Sequence, residues 1–404
     1  MTVDAGVADR LQAAFERNFH HGAEAGAALS VWQDGREVFS AYGGWKDAAR
    51  SDPWTPDTLV LIWSATKGLT SACVLHALDR AGLALSTPVA DFWPEFAQSG
   101  KARITVGEVV SHRAGLAALT DKTAGLLDHA AVVRAVEVQA PLWESRDEHG
   151  YGPRTFGFLA DEIVRRLSGK PLGDYWGEEF AQPMALDLWI GLPDAEHSRV
   201  AQMLAPRAVV EDDFSKALAR PDSLTRQAFS TPAGLLSLSA MNAPAMRSAS
   251  LPSLGGIGQA ASLGKFYAML GVGGEWEGRR FFSRRALDGM TTPLTQGPDK
   301  TLCAETAFSA GFMMDPVDLP RNPENSLPGS GKREFSERPE VGLKKRALFG
   351  PSTRAFGHPG AGGSLAFADP ENRLGFAYVM NQMEPGVLPK SRALGLVQAL
   401  YNFA

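Results

Sequence analysis

Two hairpin patterns at opposite ends of the chain set the strongest limit on its fold. In the first, AALSVWQDGREVFSAYGG, two strand-forming runs lie on either side of Asp34-Gly35, a dipeptide typical of tight hairpin turns. In the second, GSLAFADPENRLGFAYVMNQ, the same design surrounds residues 369–372, and a helix is predicted from about Lys390 to Tyr401. Because helical patterns fill the middle of the chain, the sequence predicts an α+β fold with one sheet built from both termini.

The domain boundaries follow from this arrangement. We expect residues 1–63 and 245–404 to form a sheet-bearing α/β region, and residues 64–244 to form a mainly helical region inserted between them. The polar, proline-interrupted stretch 315–353 is predicted to be a long loop or insertion near the cleft. Helices are predicted within residues 1–19 and near residues 64–81, 105–114, 155–168, 173–182 and 259–270.

The composition limits the classes of function. The 404 residues carry 40 Lys and Arg against 45 Asp and Glu, a net charge of −5, which argues against a nucleic-acid-binding surface. No apolar run reaches the roughly 18 residues of a membrane span, and the N-terminus lacks a signal-peptide core. Cys73 and Cys303 are the two cysteines of a long chain, which favours reduced thiols and a cytoplasmic location. The oligomeric state stays open.

The sharpest local signal is the segment IWSATKGLT. An apolar run, TLVLIW, leads to Ser64 at the predicted start of a helix, and Lys67 follows three residues later on the same helix face. The free N–H groups of a helix start favour negative charge, and a desolvated lysine can activate a serine by acting as its base. Taken alone, Ser-x-x-Lys is more often a capping serine beside a solvated lysine.

The residues around this motif decide between the two interpretations. VLHALDRAGLALSTPVADFWPEF and ITVGEVVSHRAGL follow it, and Tyr151 and GHPGAGGSLAFADP lie further along. With these ordered motifs, nearly the whole chain resembles the serine β-lactamase and penicillin-binding-protein superfamily. The resemblance implies a β-lactamase/transpeptidase-like fold, with an antiparallel sheet flanked by helices, and a nucleophilic Ser64. It implies a structural rather than a catalytic role for His112, which lies in SHRAGL.

The second motif of that superfamily, Tyr-x-Asn, corresponds here to Tyr151-Gly152-Pro153. A lysine ammonium near a tyrosine favours the phenolate, so Tyr151 becomes a candidate general base for acylation and acid for the leaving group. A packed surface tyrosine is the alternative. Whether Lys67 or Tyr151 is the base stays open, and the two are treated as a coupled pair. Pro153 replaces the usual Asn, which puts recognition of an amide side chain in doubt.

The third motif, Lys-Thr-Gly, corresponds to the HPG segment that begins at His358. A lysine would offer a fixed positive charge to a lactam carboxylate, whereas a histidine carries little charge at pH 7. We therefore expect His358 to shape the pocket and to hydrogen-bond either Tyr151 or the substrate.

The backbone after His358 is expected to complete the site. The resemblance implies that Gly360 lets a substrate approach the strand. It also implies an oxyanion hole formed by the N–H groups of Ser64 and Ala361, which would stabilise a tetrahedral intermediate.

Two segments, GYGPRTFG and FGHPGAGGS, resemble the family VIII carboxylesterases more closely than true β-lactamases. We therefore expect a serine hydrolase that acts through an acyl-enzyme. Its substrates would be short-chain or other small-molecule carboxylic esters, and its site would need no cofactor and no metal ion. Alternatives on the same scaffold are a β-lactamase, a D-amino-acid peptidase or amidase, and a small-molecule acyltransferase. A catalytically silent binding protein is the alternative from another class.

One competing motif is rejected. The GGSLA segment around Ser364 imitates the nucleophile elbow of α/β-hydrolases. That fold places its histidine after the serine in the chain. No histidine follows Ser364, so the order of residues excludes this mechanism.

Overall fold

The computed structural model describes residues 1–20, 23–234, 237–317 and 347–402. Its strands are β1 (Gly26–Gln33), β2 (Arg36–Gly44), β3 (Val60–Leu61), β4 (Leu188–Ile190), β5 (Gly256–Gly258), β6 (Glu275–Trp276), β7 (Arg279–Arg280), β8 (Thr295–Pro298), β9 (Glu305–Phe308), β10 (Met313–Met314), β11 (Phe356–Pro359), β12 (Leu365–Asp369) and β13 (Leu374–Met380). Eight strands form one antiparallel sheet in the order β2-β1-β13-β12-β11-β10-β9-β8. A smaller sheet has the order β3-β5-β4, and β6 pairs with β7.

The strands from the two chain ends are neighbours in the large sheet. β1 pairs with β13 along its length, with Leu29 opposite Tyr378. The turn between β1 and β2 uses Asp34 and Gly35 at positive φ, 49° and 76°, as the predicted hairpin turn requires. The prediction of one sheet built from both termini is therefore confirmed.

The helices are α1 (Ala5–Arg17), α2 (Thr66–Ala81), α3 (Val106–Val110), α4 (His129–Val138), α5 (Thr155–Ser168), α6 (Leu172–Trp176), α7 (Asp213–Ala219), α8 (Leu224–Ser230), α9 (Leu238–Asn242), α10 (Pro244–Ser248), α11 (Ala260–Gly271), α12 (Arg284–Thr291) and α13 (Ser391–Tyr401). α11 packs on the sheet against β1, β12 and β13, and α1 packs with α13. α11 and the pair α1–α13 cover opposite faces of the sheet. Side chains alternate between the two faces of a strand, so Gly375 and Tyr378 of β13 lie on different faces. Gly375 meets α11, whereas Tyr378 hydrogen-bonds Glu24, which pairs with Arg392 of α13.

Helix α2 is the buried axis of the helical part. Every residue from 66 to 78 is buried, and the helix packs against α5 and α6. It ends at Gly82, whose φ of 68° provides the left-handed cap that the sequence predicts. This burial on all sides explains why α2 carries the apolar and small residues of a core helix.

Most predicted helices are confirmed, with three differences. α2 begins at Thr66 because a 3₁₀ turn, Trp63–Ala65, precedes it. The helix predicted near residues 105–114 is the short α3, and the one predicted near 173–182 divides into α6 and a π-helical turn, Gly177–Ala181.

The division at residues 63/64 and 244/245 stays a prediction, and the inserted part contains β4 as well as helices. The loop predicted over 315–353 falls largely on residues 318–346, which lie outside the described residues. Within the described residues, no helix combines the length and the apolar character that a membrane crossing requires.

The contact between α11 and the sheet gives a testable prediction about the fold. A Cβ on Gly375 would lie 2.3 Å from the backbone nitrogen of Ala268 and 2.6 Å from the carbonyl oxygen of Gly264. Since helix backbone cannot yield to a methyl group, we expect Gly375→Ala to lower the free energy of unfolding by about 1–3 kcal/mol. Urea denaturation measures the change.

Gly395 of α13 provides the matched control, because no atom lies within 4 Å of the position its Cβ would take. Gly395→Ala should leave stability unchanged or raise it by up to about 1 kcal/mol. Equal effects of the two substitutions would contradict the close approach of α11 to β13.

Candidate active site

A cavity of about 290 Å³ brings the separate sequence motifs together. Its wall includes Ser64, Tyr151, His358 and Ala361, and Lys67 lies directly behind Ser64. The four wall residues come from the turn before α2, the segment before α5, strand β11 and the turn after it. The structure therefore places the predicted residues at one site. Their catalytic roles are taken up below as proposals.

The turn that carries Ser64 is held in an unusual backbone conformation. Trp63 adopts a φ of 50°, which is rare for a residue with a large side chain and costs conformational energy. The Thr66 hydroxyl donates to the Trp63 carbonyl and accepts the N–H of Gly256 at 2.8 Å. Because Ile62 N–H also donates to Gly256 O at 2.9 Å, the turn is tied to β5 on both sides. Ser64 is thus fixed before any substrate binds.

Lys67 is fully buried, and its Nζ has three neighbours. Nζ lies 2.8 Å from Ser253 O, 3.0 Å from Pro153 O and 3.4 Å from Ser64 Oγ. No carboxylate pairs with it within the described chain, and burial holds its pKa well below the ordinary range of a lysine. A neutral amine has two N–H bonds for the two carbonyls. Its lone pair is then left for the Ser64 hydroxyl.

Tyr151 lies on the other side of Ser64. Its ring is 4.7 Å from Lys67 Nζ and stacks on Phe308, and its hydroxyl hydrogen-bonds the Ser64 side chain. Burial raises the pKa of Tyr151, so the expectation that a lysine ammonium would favour its phenolate is wrong. The physical reason is that the same burial disfavours the ammonium of Lys67. Tyr151 is a neutral phenol that can donate a proton.

Two buried groups hold the segment that carries Tyr151. The Asp299 carboxylate accepts the N–H of Tyr151 at 3.1 Å and also those of Thr301 and Leu302 at 2.8 and 2.9 Å. His112 Nδ1 accepts the N–H of Gly152 at 3.2 Å, and its ring packs 5.0 Å from that of Tyr151. The contacts of His112 agree with the structural role implied by the resemblance.

Asp299 was missed by the sequence reasoning. It lies 148 positions from Tyr151, and no local pattern joins the two.

His358 makes a different contact from the one expected. Its Nδ1 lies 2.7 Å from Pro359 O, and its ring centroid is 5.8 Å from that of Tyr151. Of the two predicted partners, Tyr151 is therefore not hydrogen-bonded to His358, and a hydrogen bond to the substrate stays a prediction. Burial lowers the pKa of His358 to about 3. Since a carbonyl can only accept, Nδ1 carries the proton of the neutral ring, and Nε2 is left as an acceptor with no partner among the described residues.

Gly360 lies in close contact with another part of the backbone. A Cβ at this position would lie 2.3 Å from the carbonyl oxygen of Ile62, so the missing side chain makes room for protein backbone. Its role in letting a substrate approach the strand stays a prediction. This close approach brings the end of β11 against the turn that carries Ser64. Ala361 follows, and its N–H donates to no backbone carbonyl within the described residues.

Most of the rest of the cavity wall is apolar, with Arg154 and Glu384 as its charged residues, and the sequence reasoning did not identify it. The apolar side chains come from α7, α8, β10 and several loops that are distant in the sequence. They are Phe214, Leu218, Phe229, Leu254, Leu302, Met313, Met383, Val387 and Leu388. Such a lining accommodates a hydrocarbon or aryl group beside Ser64. Among the described residues, no group of His, Cys, Asp and Glu is arranged to hold a metal ion.

Comparisons with known proteins agree with this arrangement. The family model described as Beta-lactamase matches residues 11–400. The chain is 31% identical over 366 residues to Esterase/beta-lactamase LipL of Mycobacterium tuberculosis, covering 89% of this chain and 77% of that protein. Two solved structures each cover 100% of this chain and 99% of their own: a penicillin-binding-protein homolog from Caulobacter crescentus, with 33% identity and a TM-score of 0.82, and a family VIII carboxylesterase, with 32% identity and a TM-score of 0.82.

The close approach at Gly360 can be tested. In Gly360→Ala the added methyl group would push β11 away from Ile62 and displace the Ala361 N–H from its place beside Ser64. We expect kcat for an aryl ester to fall by about 10²-fold or more, the effect of losing one oxyanion donor. Stopped-flow or steady-state kinetics measure it.

Gly177→Ala is the control, since its Cβ would meet no atom within 4 Å. It should keep kcat close to that of the parent chain. Full activity of Gly360→Ala would show that the turn tolerates a side chain and that Ala361 is not positioned by this contact.

Proposed function

This chain belongs to the Beta-lactamase family, and from that premise we propose that it is a serine hydrolase of the carboxylesterase type that works through an acyl-enzyme. The family resemblance and the β-lactamase/transpeptidase-like fold predicted from the sequence are confirmed by the family match and by the two solved structures. The proposal extends from the family to the chemistry of this site.

The hydrogen bonding of Lys67 is the observation that carries the proposal. Pro153 O and Ser253 O take up both N–H bonds of a neutral amine, so its lone pair faces Ser64 Oγ. In the proposed acylation step, the Ser64 hydroxyl transfers its proton to Nζ while Oγ attacks the ester carbonyl carbon. The resulting oxyanion is stabilised by the N–H groups of Ser64 and Ala361.

Tyr151 is assigned to the leaving group. As a neutral phenol hydrogen-bonded to Ser64, it can donate its proton to the departing alkoxide when the C–O bond breaks. The ammonium formed on Lys67 then supplies a proton to the tyrosine oxygen, which returns both groups to their starting state. In deacylation, water takes the place of the alcohol and the same transfers run in reverse.

Esters are favoured over amides and lactams for four reasons. The third motif has a neutral His358 where a lysine would attract a lactam carboxylate, and Pro153 replaces the Asn of the second motif. The cavity wall is mostly apolar. An alkoxide also departs with less help from an acid than an amine does. The similar proteins named as an esterase and as a carboxylesterase support the same choice.

A β-lactamase is the second candidate, because the name of the LipL protein joins both activities and one structural neighbour is a penicillin-binding-protein homolog. Small-molecule esters, and short-chain ones in particular, stay the proposed substrates. The cytoplasm stays the proposed location, which the free thiols of Cys73 and Cys303 support.

An acyl-enzyme experiment tests the proposal. A fluorophosphonate probe or a 4-nitrophenyl ester should add its acyl or phosphonyl mass to the intact chain, and peptide mapping should place that mass on Ser64. Ser64→Ala should lose the label and about 10³-fold or more of kcat. Nitrocefin turnover, measured in parallel, decides between the esterase and the β-lactamase.

Ser364→Ala is the matched control, because Ser364 lies in the rejected elbow motif and is fully buried. It should keep the label and the activity. Labelling that survives in Ser64→Ala would remove the assignment of the nucleophile, and a chain that takes no label at all would favour the silent binding protein.

The pH dependence tests the assignment of the base. Acylation requires neutral Lys67, and burial lowers its pKa, so kcat/KM for a neutral ester should fall as pH decreases through that lowered pKa, at a lower pH than an exposed lysine would give. The pKa of Tyr151 is raised, so no loss is expected on the alkaline side below pH 10.

His358→Asn is the control for this profile, since the pKa of His358, at about 3, lies below the range measured. The acid limb should keep its midpoint in that variant. If the acid limb disappeared in His358→Asn, the role of general base would belong to the histidine. A loss of activity centred near pH 8 on the alkaline side would contradict a neutral phenol at Tyr151.

A further inference from the structure

Arg154 is a buried guanidinium on the wall of the catalytic cavity. It is the N-cap residue of α5 and is 8% exposed. Nη1 donates to Pro232 O at 2.7 Å and to Gly234 O at 2.8 Å. Nε and Nη2 make no hydrogen bond within the described chain, and no carboxylate there pairs with the group. Part of its hydrogen-bonding capacity is therefore free for a ligand in the cavity.

The backbone of Arg154 is built into the reaction centre. The Ser253 hydroxyl donates to Arg154 O at 2.9 Å, and the carbonyl of the same serine accepts from Lys67 Nζ at 2.8 Å. Pro153, the preceding residue, supplies the other carbonyl for Lys67. The backbone of Arg154 is therefore held close to the base, and the hydrogen bonds of Nη1 to Pro232 and Gly234 hold the guanidinium, which makes Arg154 suited to orient a substrate.

No carboxylate on the described wall forms an ion pair with this cation. Glu384 lines the same cavity, but its carboxylate pairs with Arg392, whose Nε lies 3.4 Å away. Arg392 also pairs with Glu24, whose pKa is raised to about 7 by burial, so that carboxyl is partly neutral near pH 7. His358 is neutral as well. The described cavity wall thus carries the Arg154 cation and the Glu384 carboxylate among apolar side chains, and no ion pair joins the two. The Glu384 carboxylate is directed to Arg392 through Oε1, and its Oε2 has no hydrogen-bond partner among the described residues.

A buried cation without a counter-ion is unfavourable, because carbonyl dipoles replace only part of its hydration. An anionic group that enters the cavity would restore the balance. The planar fork of a guanidinium suits a carboxylate, which it can bind through two N–H donors.

We propose that Arg154 is a specificity-determining residue that receives a carboxylate group of the substrate. The inference rests on the proposed esterase function and narrows it to amphiphilic esters, in which a carboxylate and the scissile ester are joined by a hydrocarbon or aryl segment. The apolar side chains of the cavity contact that segment, and Arg154 holds its charged end. Half-esters of dicarboxylic acids and aryl esters with a carboxylate on the aryl group belong to this class.

Two matched substrate pairs test the proposal on the two sides of the scissile bond. On the acyl side, mono-4-nitrophenyl adipate is compared with 4-nitrophenyl hexanoate. On the alcohol side, 4-(carboxymethyl)phenyl butyrate is compared with its primary amide. The parent chain should prefer the anionic member of at least one pair, expressed as the ratio of the two kcat/KM values. A ratio of one or less for both pairs would overturn the proposal without any variant.

Arg154→Met keeps the length of the side chain and removes its charge, and Arg154→Lys keeps the charge. In Arg154→Met, the ratio of kcat/KM for the anionic substrate to kcat/KM for its neutral partner should fall by about tenfold or more. Arg154→Lys should recover part of this ratio. A purely structural role, through Pro232 and Gly234, would lower both members of a pair equally. An unchanged ratio would therefore reject the contact.

Binding to Ser64→Ala separates this inference from the proposed function. Adipic acid monoamide and hexanamide, which contain no ester, are compared by calorimetry in that background with and without Arg154→Met. Tighter binding of the carboxylate that depends on Arg154 would support the contact even if no ester is hydrolysed. Equal binding of the two amides would count against the contact while leaving the esterase proposal intact.

Discussion

The hydrogen bonds of Lys67 to two backbone carbonyls are the interaction on which the rest of the site depends. Pro153 O belongs to the segment before α5, and Ser253 O belongs to the segment before β5. A lysine taken fully out of water has lost most of the hydration that favours its charge, and this burial lowers its pKa. The two carbonyl oxygens act as hydrogen-bond acceptors for its N–H groups. The same two contacts fix the direction of its lone pair. Three parts of the chain must therefore be folded correctly before Ser64 has a base.

The fold meets this requirement by bringing backbones unusually close together. Gly375 lets α11 lie directly on β13, and Gly360 lets the end of β11 meet the turn that carries Ser64. In α2, a Cβ on Gly68 would lie 2.0 Å from the hydroxyl of Tyr267, so this helix also packs through a missing side chain. A glycine at such a contact buries no side chain and lets another part of the protein approach its backbone closely. At the site, the end of β11 therefore meets the turn before α2 without an intervening side chain.

The sequence was sufficient for the parts of the molecule that have local patterns. Both hairpins, α2 and the convergence of Ser64, Tyr151 and His358 followed from spacing and from the family motifs. The protonation states of those side chains did not follow from the sequence, because a pKa depends on burial by distant segments. Tyr151 was expected to be partly ionised beside an ammonium, whereas burial raises its pKa and lowers that of Lys67. Asp299 was missed for the same reason: its contact with Tyr151 joins positions 148 residues apart.

The distribution of charge in the cavity separates this site from one built around a lysine in the third motif. In that arrangement the positive charge comes from the sheet strand. Here the corresponding His358 is neutral, and the cation on the described wall is Arg154 at the start of α5, in the helical part. A substrate anion would therefore be attracted to the wall at the start of α5, whereas a charge on β11 would attract it to the wall formed by the sheet. Since Ser64 and the Ala361 N–H are fixed by backbone contacts, such a shift changes which substrates align their carbonyl with the nucleophile, while the chemistry of acyl transfer stays the same.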